Sequence, residues 1–186
     1  MSSVQYTFLS AAINYDGAQL KSFWIRQQVQ LHGDAVVAFV GTADVSAHMV
    51  DMEDRETQAF IYSPRMLHFI VEHFHMPLTE AIVRQRLLVC SMMEEIQMHS
   101  KSVLTRDGDD LFYGGRKLSV SIATLSLMSA LIHIGLNIET KGTPVPTAGL
   151  AELNVDAKTL AERVMKRYAD ECRSIAEARC KVLPVV

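Results

Sequence analysis

Asp109-Asp110-Leu111-Phe112-Tyr113-Gly114-Gly115-Arg116-Lys117-Leu118-Ser119-Val120-Ser121 is the stretch on which the reading of this chain turns. Asp110–Tyr113 has the short, aromatic-rich pattern of a strand. Gly114 and Gly115 supply the tight turn after it, because two-residue hairpin loops need positive φ and glycine adopts it freely. A second strand is expected over residues 117–124. Strand alternation then puts Lys117, Ser119 and Ser121 on one face and Arg116 on the other. A lysine beside two glycines can hold its ammonium over a carbonyl or phosphoryl oxygen and stabilise negative charge as it develops. The plainer alternative is a solvated strand lysine. Asp109 and Asp110 can keep Lys117 protonated, or they are ordinary turn aspartates. The serines are either ligand donors or satisfied groups in a buried strand.

Working outward, residues 130–138 read as the next strand, with His133 and Asn137 on one face because their separation is even. His133 is either a core imidazole with a backbone partner or a general base. Upstream, a strand is expected at residues 6–13, a turn at Tyr15-Asp16-Gly17, a helix at 19–30 and a buried strand at 35–40. Residues 41–59 are polar and acidic and read as a loop. A strand at 67–74 and a helix from Pro77 to about Gln97 follow. After a Pro/Gly connection at 141–149, Asp156 caps a last helix with Leu160, Val164, Tyr168, Cys172 and Ile175 inward. Strands grouped between helices, without a βαβ repeat, define the class as α+β.

The chain's 186 residues suit one domain, 1–186. Hydrophobic residues at 49% and charged residues at 21% are ordinary globular values and argue against disorder. A net charge of −3 gives no basic footprint for nucleic acid. No apolar run is long enough for a membrane span, and the N-terminus is polar, so a cytoplasmic protein is expected. Three cysteines without a Cys-x-x-Cys pair agree with a reducing compartment. Ten methionines, together with Phe69, Phe74 and Met76, leave room for a homodimer interface.

Three other groups carry chemistry. His48, Asp51, Glu53 and Asp54 lie within seven residues and can hold Mg²⁺, Mn²⁺ or Zn²⁺, bind a cationic substrate, or simply be solvated. His68, Glu72, His73 and His75 split between two faces if their segment is a strand, which argues against one metal site. Cys180, between Arg179 and Lys181, is either an activated thiol or an inert one.

The opening stretch resembles the lipoate–protein ligase motif, in which an Asp-Leu strand turns through glycine into Gly-x-Lys-Ile-Ser-Gly-Ser. It is also similar to Gly-Arg-Lys-Ile-Ala of octanoyltransferases and Gly-x-Lys-Leu-x-Gly of biotin ligases. In those families the lysine contacts the acyl carbonyl or the adenylate, so the resemblance implies that role for Lys117. Ile132-His133-Ile134-Gly135-Leu136-Asn137 resembles the following strand, His-Gly-Leu-Ala-Leu-Asn or Gly-Ile-Gly-Ile-Asn. The likeness is specific over residues 109–138. It implies a class II aminoacyl-tRNA synthetase/biotin–lipoate ligase-like fold, with a mixed, mainly antiparallel sheet backed by helices.

One segment departs from the pattern. Where the ligases have an Arg-rich, triple-glycine adenylate loop, residues 41–54 have one glycine, no arginine and four carboxylates. A phosphate would be repelled there unless a divalent metal, the one cofactor suggested, intervened. The whole chain resembles the uncharacterised prokaryotic family domain-of-unknown-function 366, which implies a fold and no activity.

The candidate site is therefore Lys117 and His133 as catalytic groups. Asp110, Gly114, Gly115, Ser119, Ser121 and Asn137 would surround a small-molecule ligand. The expected function is acyl or adenylate-type transfer, or acyl or nucleotide recognition, at the hairpin. The rival is a non-catalytic binding relative of that fold; a third option is a metal-dependent hydrolase using residues 44–54.

Overall fold

The computed structural model describes residues 3–45, 48–57 and 60–185. Its main sheet has five strands: β1 (Gln5–Phe8), β2 (Ala35–Val45), β3 (Ile61–Phe74), β7 (Ser119–Leu125) and β8 (Ser129–Glu139). Their order is β1-β2-β3-β8-β7, and only the β1–β2 pair is parallel. The sheet is mixed and mainly antiparallel, as expected. A second sheet joins β4 (Leu104–Asp107), β5 (Asp110–Tyr113) and β6 (Arg116–Lys117). Gly114 (φ 56°) and Gly115 (φ 74°) make the turn between β5 and β6.

Alternation along the central strands sorts their side chains onto two faces. Leu67, Phe69 and Val71 of β3, with Ile132, Ile134 and Leu136 of β8, meet the long helices α3 (Leu78–Ser100) and α4 (Ala157–Ala178). Leu88, Val89, Met92 and Ile96 of α3 are fully buried there. Each such side chain stabilises the fold by roughly 1.5–3 kcal/mol. Asp156 caps α4 as expected: its Oδ1 accepts from Thr159 N at 2.8 Å, a contact worth about 1 kcal/mol. The opposite face is covered by Leu9, Tyr15, Trp24 and Ile25, which pack on Val37, Phe39 and Ile70.

Several elements differ from expectation. The helix expected at 19–30 shrinks to α1 (Trp24–Val29), because Phe23 (φ 62°) and Gln30 (φ 55°) are left-handed and end it on both sides. Phe23 is held by Glu72, whose two carboxylate oxygens accept from Phe23 N at 2.9 and 3.1 Å. The loop expected at 41–59 is partly regular: β2 runs on to Val45, and α2 (Met52–Glu56) follows. Strand β4 was not expected, since it buries only Leu104. Residues 117–124 are not one strand; Leu118 separates β6 from β7 and donates its N–H to Leu111 O at 2.7 Å. Phe69 is fully buried and cannot serve an interface. Among the described residues no helix is long and apolar enough to cross a membrane.

Candidate functional site

On the face away from α3 and α4, the sheet carries a cleft with a volume of ≈ 50 Å³. Its apolar walls come from Leu20, Val45, Met49, Ile61, Val120 and Ile122. Its polar residues are Tyr15, His48, Asp51, Ser121 and His133. Val120 and Ile122 point there because they pair with Gly135 and His133 across the β7–β8 ladder. Gly41 makes the other wall possible. A Cβ at Gly41 would collide with the carbonyl of Ile13, so only glycine lets that segment cross the bulge in β2. Tyr15 is then locked to the strand end, with its N–H on Thr42 O at 2.9 Å and Asp44 N on its own carbonyl at 2.9 Å.

His133 lies at the base of this cleft. Its Nε2 is 3.1 Å from Nδ1 of His68. The Tyr15 ring lies flat on His133, 3.8 Å between centroids and 8° between planes. Phe39 stacks on His68 at 4.9 Å. Burial pushes His68 down to about 4, against a smaller opposing pull from the backbone of Gly41 and Thr42. Burial also drives His133 well below the ordinary imidazole range, with His68 adding to the effect. Both rings are neutral at pH 7. Burial raises the Tyr15 phenol, and the charge of Asp16 adds to that. Among the described residues, Nε2 of His68 is buried without a hydrogen bond.

The hairpin is a separate place. Lys117 Nζ sits 2.9 Å from Asp110 Oδ2, with both side chains about one-third exposed. Burial raises the Asp110 carboxyl, and Lys117 only partly opposes it. Lys117 is also pinned by its backbone, donating to Pro146 O at 3.3 Å and accepting from Ala148 N at 2.9 Å. Arg116 is committed to Glu152 at 2.7 Å. Gly114 and Gly115 stand at an open tip with nothing near a would-be Cβ.

The break at Leu118 undoes the expected face shared by Lys117, Ser119 and Ser121. Ser119 is fully buried, and its Oγ accepts from Leu111 N at 2.8 Å. Ser121 borders the cleft, but its hydroxyl donates to Asp109 Oδ2 at 2.6 Å and accepts from Gln85 Nε2 of α3 at 2.8 Å. Asn137 is buried and donates Nδ2 to Leu118 O at 3.3 Å, so it braces the chain break. The expected site thus divides: His133 belongs to the cleft, and Lys117, Asp110, Gly114 and Gly115 to the hairpin. Ser119, Ser121 and Asn137 lie between as braces.

Of the acidic set, His48 and Asp51 reach the cleft. Asp51 Oδ1 accepts from Glu53 N at 2.9 Å, and Glu53 is exposed on α2. The side chain of Asp54 lies outside the described residues. Among the described residues no three His, Cys, Asp or Glu side chains converge as metal ligands. The β3 cluster splits between faces: His73 joins Asp34 (2.9 Å) and Tyr168 (2.7 Å), while Glu72 takes Ser129 Oγ (2.6 Å) on the other side. Cys180 is exposed near the end of α4, with its Sγ on Ala176 O.

Adenosine triphosphate, which the ligase resemblance implies, is not matched by residues 41–54. The one glycine there is filled by the Ile13 crossing, and no arginine is present. Tyr15 is a cleft residue that sequence reasoning did not assign to a ligand, and His68, behind His133, was weighed only within the β3 metal cluster.

The fold is similar to that of the biotin/lipoate protein ligases. Biotin protein ligase from Aquifex aeolicus superimposes with a TM-score of 0.61 at 16% identity, over 95% of this chain and 72% of that one. Lipoate-protein ligase A bound with ATP gives 0.58 at 14% identity, over 91% and 86%. Likeness at that identity shows the fold alone. The chain belongs to the domain-of-unknown-function family DUF366, whose model matches residues 4–183. It is 33% identical to uncharacterized protein MJ0805 of Methanocaldococcus jannaschii, over 96% of this chain and 84% of that protein. A protein of unknown function from Pyrococcus horikoshi superimposes with a TM-score of 0.93 at 35% identity, over 99% and 100%.

Proposed function

We propose that this DUF366 chain binds a small molecule with an apolar body in the cleft above His133, without forming an adenylate. The observation that carries this is the cleft itself: apolar walls over a buried, neutral imidazole pair, with Nδ1 of the cleft-lining His133 left without a hydrogen bond among the described residues. Small-molecule sites have this mix of apolar walls and few polar groups. Val120 and His133 stand where the ligase motifs have glycine. Both side chains narrow the space, which favours a ligand smaller than an acyl-adenylate.

A second reading, acyl transfer at Lys117, draws support from the ammonium held at Asp110 on the strand leading into the cleft wall. Lys117 is not among the residues lining the cleft, so a ligand would have to extend beyond the cleft to reach both places.

A thermal-shift screen separates the two. The panel is short- and medium-chain acids and their amides, lipoate, biotin and ATP, each with and without Mg²⁺. The proteins are wild type, Ile122→Trp and Lys117→Ala. We expect a stabilising shift with a member of the acyl series that vanishes in Ile122→Trp and survives in Lys117→Ala, with no response to ATP. An ATP shift that needs Lys117 would overturn the binding reading in favour of transfer.

A further inference from the structure

We infer that the cleft takes an uncharged ligand whose polar end donates a hydrogen bond to Nδ1 of His133, and that it selects against carboxylates with the same body. This rests on the cleft being the ligand site.

The argument begins with the two rings. A neutral imidazole has one N–H and one lone pair. Nδ1 of His68 and Nε2 of His133 face each other at 3.1 Å, so one N–H lies between them. The pair has one more N–H, and only two nitrogens remain to carry it: Nε2 of His68 or Nδ1 of His133. Nε2 of His68 is buried beside the backbone of Gly41 and Thr42. Those carbonyls favour a proton on His68, although none meets hydrogen-bond geometry. With the N–H on His68, Nε2 of His133 is the donor within the pair. Nδ1 of His133 then holds a lone pair. It has no hydrogen bond within the described residues, and its ring lines the cleft. The flat Tyr15 ring fixes the imidazole plane.

The rest of the cleft agrees. Among the described residues no lysine or arginine lines it, and Asp51 is the one carboxylate. A carboxylate ligand would lose hydration without gaining a lysine or arginine partner, and would turn its oxygens toward a lone pair. A primary amide or an alcohol loses less hydration and brings the donor that His133 lacks.

Two measurements test this. The first needs no ligand: nitrogen-15 long-range correlation spectra of histidine-labelled protein at pH 7, assigned with His68→Phe. Both rings should carry their proton on Nε2; a proton on Nδ1 of His133 would overturn the inference. The second is calorimetric titration with butanamide through octanamide against butanoate through octanoate. Amides should bind at least about tenfold more tightly than the matching acids, a difference of about 1.4 kcal/mol. His133→Phe should abolish that preference while keeping a cooperative melt. His133→Gln, whose amide can also donate, should narrow it. Acids that bind as tightly as amides, with both series blocked by Ile122→Trp, would overturn the selectivity and leave the cleft reading standing. Binding indifferent to Ile122→Trp, or no binding by either series, would remove both.

Discussion

Strand β3 places histidines on both faces of the main sheet, and their treatment differs. On the helix side, His73 is satisfied at both nitrogens, by Asp34 at 2.9 Å and by Tyr168 at 2.7 Å. Asp34 also accepts from Phe74 N at 2.9 Å. On the cleft side, among the described residues, the hydrogen bond of His68 and His133 is to each other, and Nε2 of His68 has none. Buried polar groups are almost always paired, so an exception needs a reason. A fully paired imidazole stabilises the fold. His133 differs: its ring lines the cleft and its Nδ1 has no hydrogen bond among the described residues, a capacity that a ligand can meet. The contrast teaches that burial of a histidine does not by itself mark a site; unmet hydrogen-bonding capacity facing a cleft is the signal to test.

The largest expected effect is on the acid limb of stability. The folded-state values of His68 and His133 lie below the unfolded one, so the native state excludes protons that the unfolded chain binds. Their contribution is intact above the unfolded imidazole value of about 6.5. It is lost as pH falls from there toward about 4, the value of folded His68. Denaturant melts should lose on the order of a few kcal/mol across that window. In the double variant His68→Leu/His133→Leu this slope should largely disappear, with stability at pH 7 within about 1 kcal/mol of wild type. An unchanged slope would show that the cleft pair is not what titrates.

Next comes the helix side. Asp34→Ala strands His73 Nδ1 and Phe74 N together, and should cost about 2 kcal/mol at pH 7. His73 holds the Asp34 carboxyl below the ordinary carboxylate range, aided by Phe74 N–H, although burial pulls the other way. A depressed carboxyl contributes stability that is present above the unfolded value of about 3.9 and lost as pH falls below it. Asp34→Asn should therefore flatten the curve below pH ~4 and leave the imidazole window untouched. A loss for Asp34→Ala no larger than for the double leucine variant would erase the difference between the faces.

The fold was legible where local chemistry decided it. The apolar β-branched runs of β2, β3 and β8, the paired glycines at 114–115 and the Asp156 cap all act over a few residues. The misses have distant causes. Helix α1 is cut short because Phe23 N–H is taken by Glu72, forty-nine residues on. Lys117 and Ser121 lost their common face when Leu118 turned to Leu111. The meeting of His68 and His133 depends on the β3–β8 register, in which Ile70 is opposite His133 and Gly135 opposite His68. Neither strand alone encodes that register. The resemblance to the ligases drew attention to the hairpin lysine, while the unpartnered nitrogen lay on the other side of the Leu118 break.

The smallest expected effect tests that displacement directly. Lys117–Asp110 is a partly exposed pair on a small three-stranded sheet, and such pairs contribute roughly 0.2–1 kcal/mol. Lys117→Ala should lower the melting temperature only slightly. It should raise the Asp110 carboxyl further, because the cation that opposes its burial is gone. Affinity for any cleft ligand should stay within about twofold of wild type, a change below about 0.5 kcal/mol. The reason is geometric: Lys117 does not line the cleft, and its backbone is tied to Pro146 and Ala148 rather than to the cleft wall. If cleft affinity instead falls tenfold in Lys117→Ala with the melt unchanged, the hairpin reaches the ligand. The two places would then be one site, and the ligase-like role of this lysine would be restored.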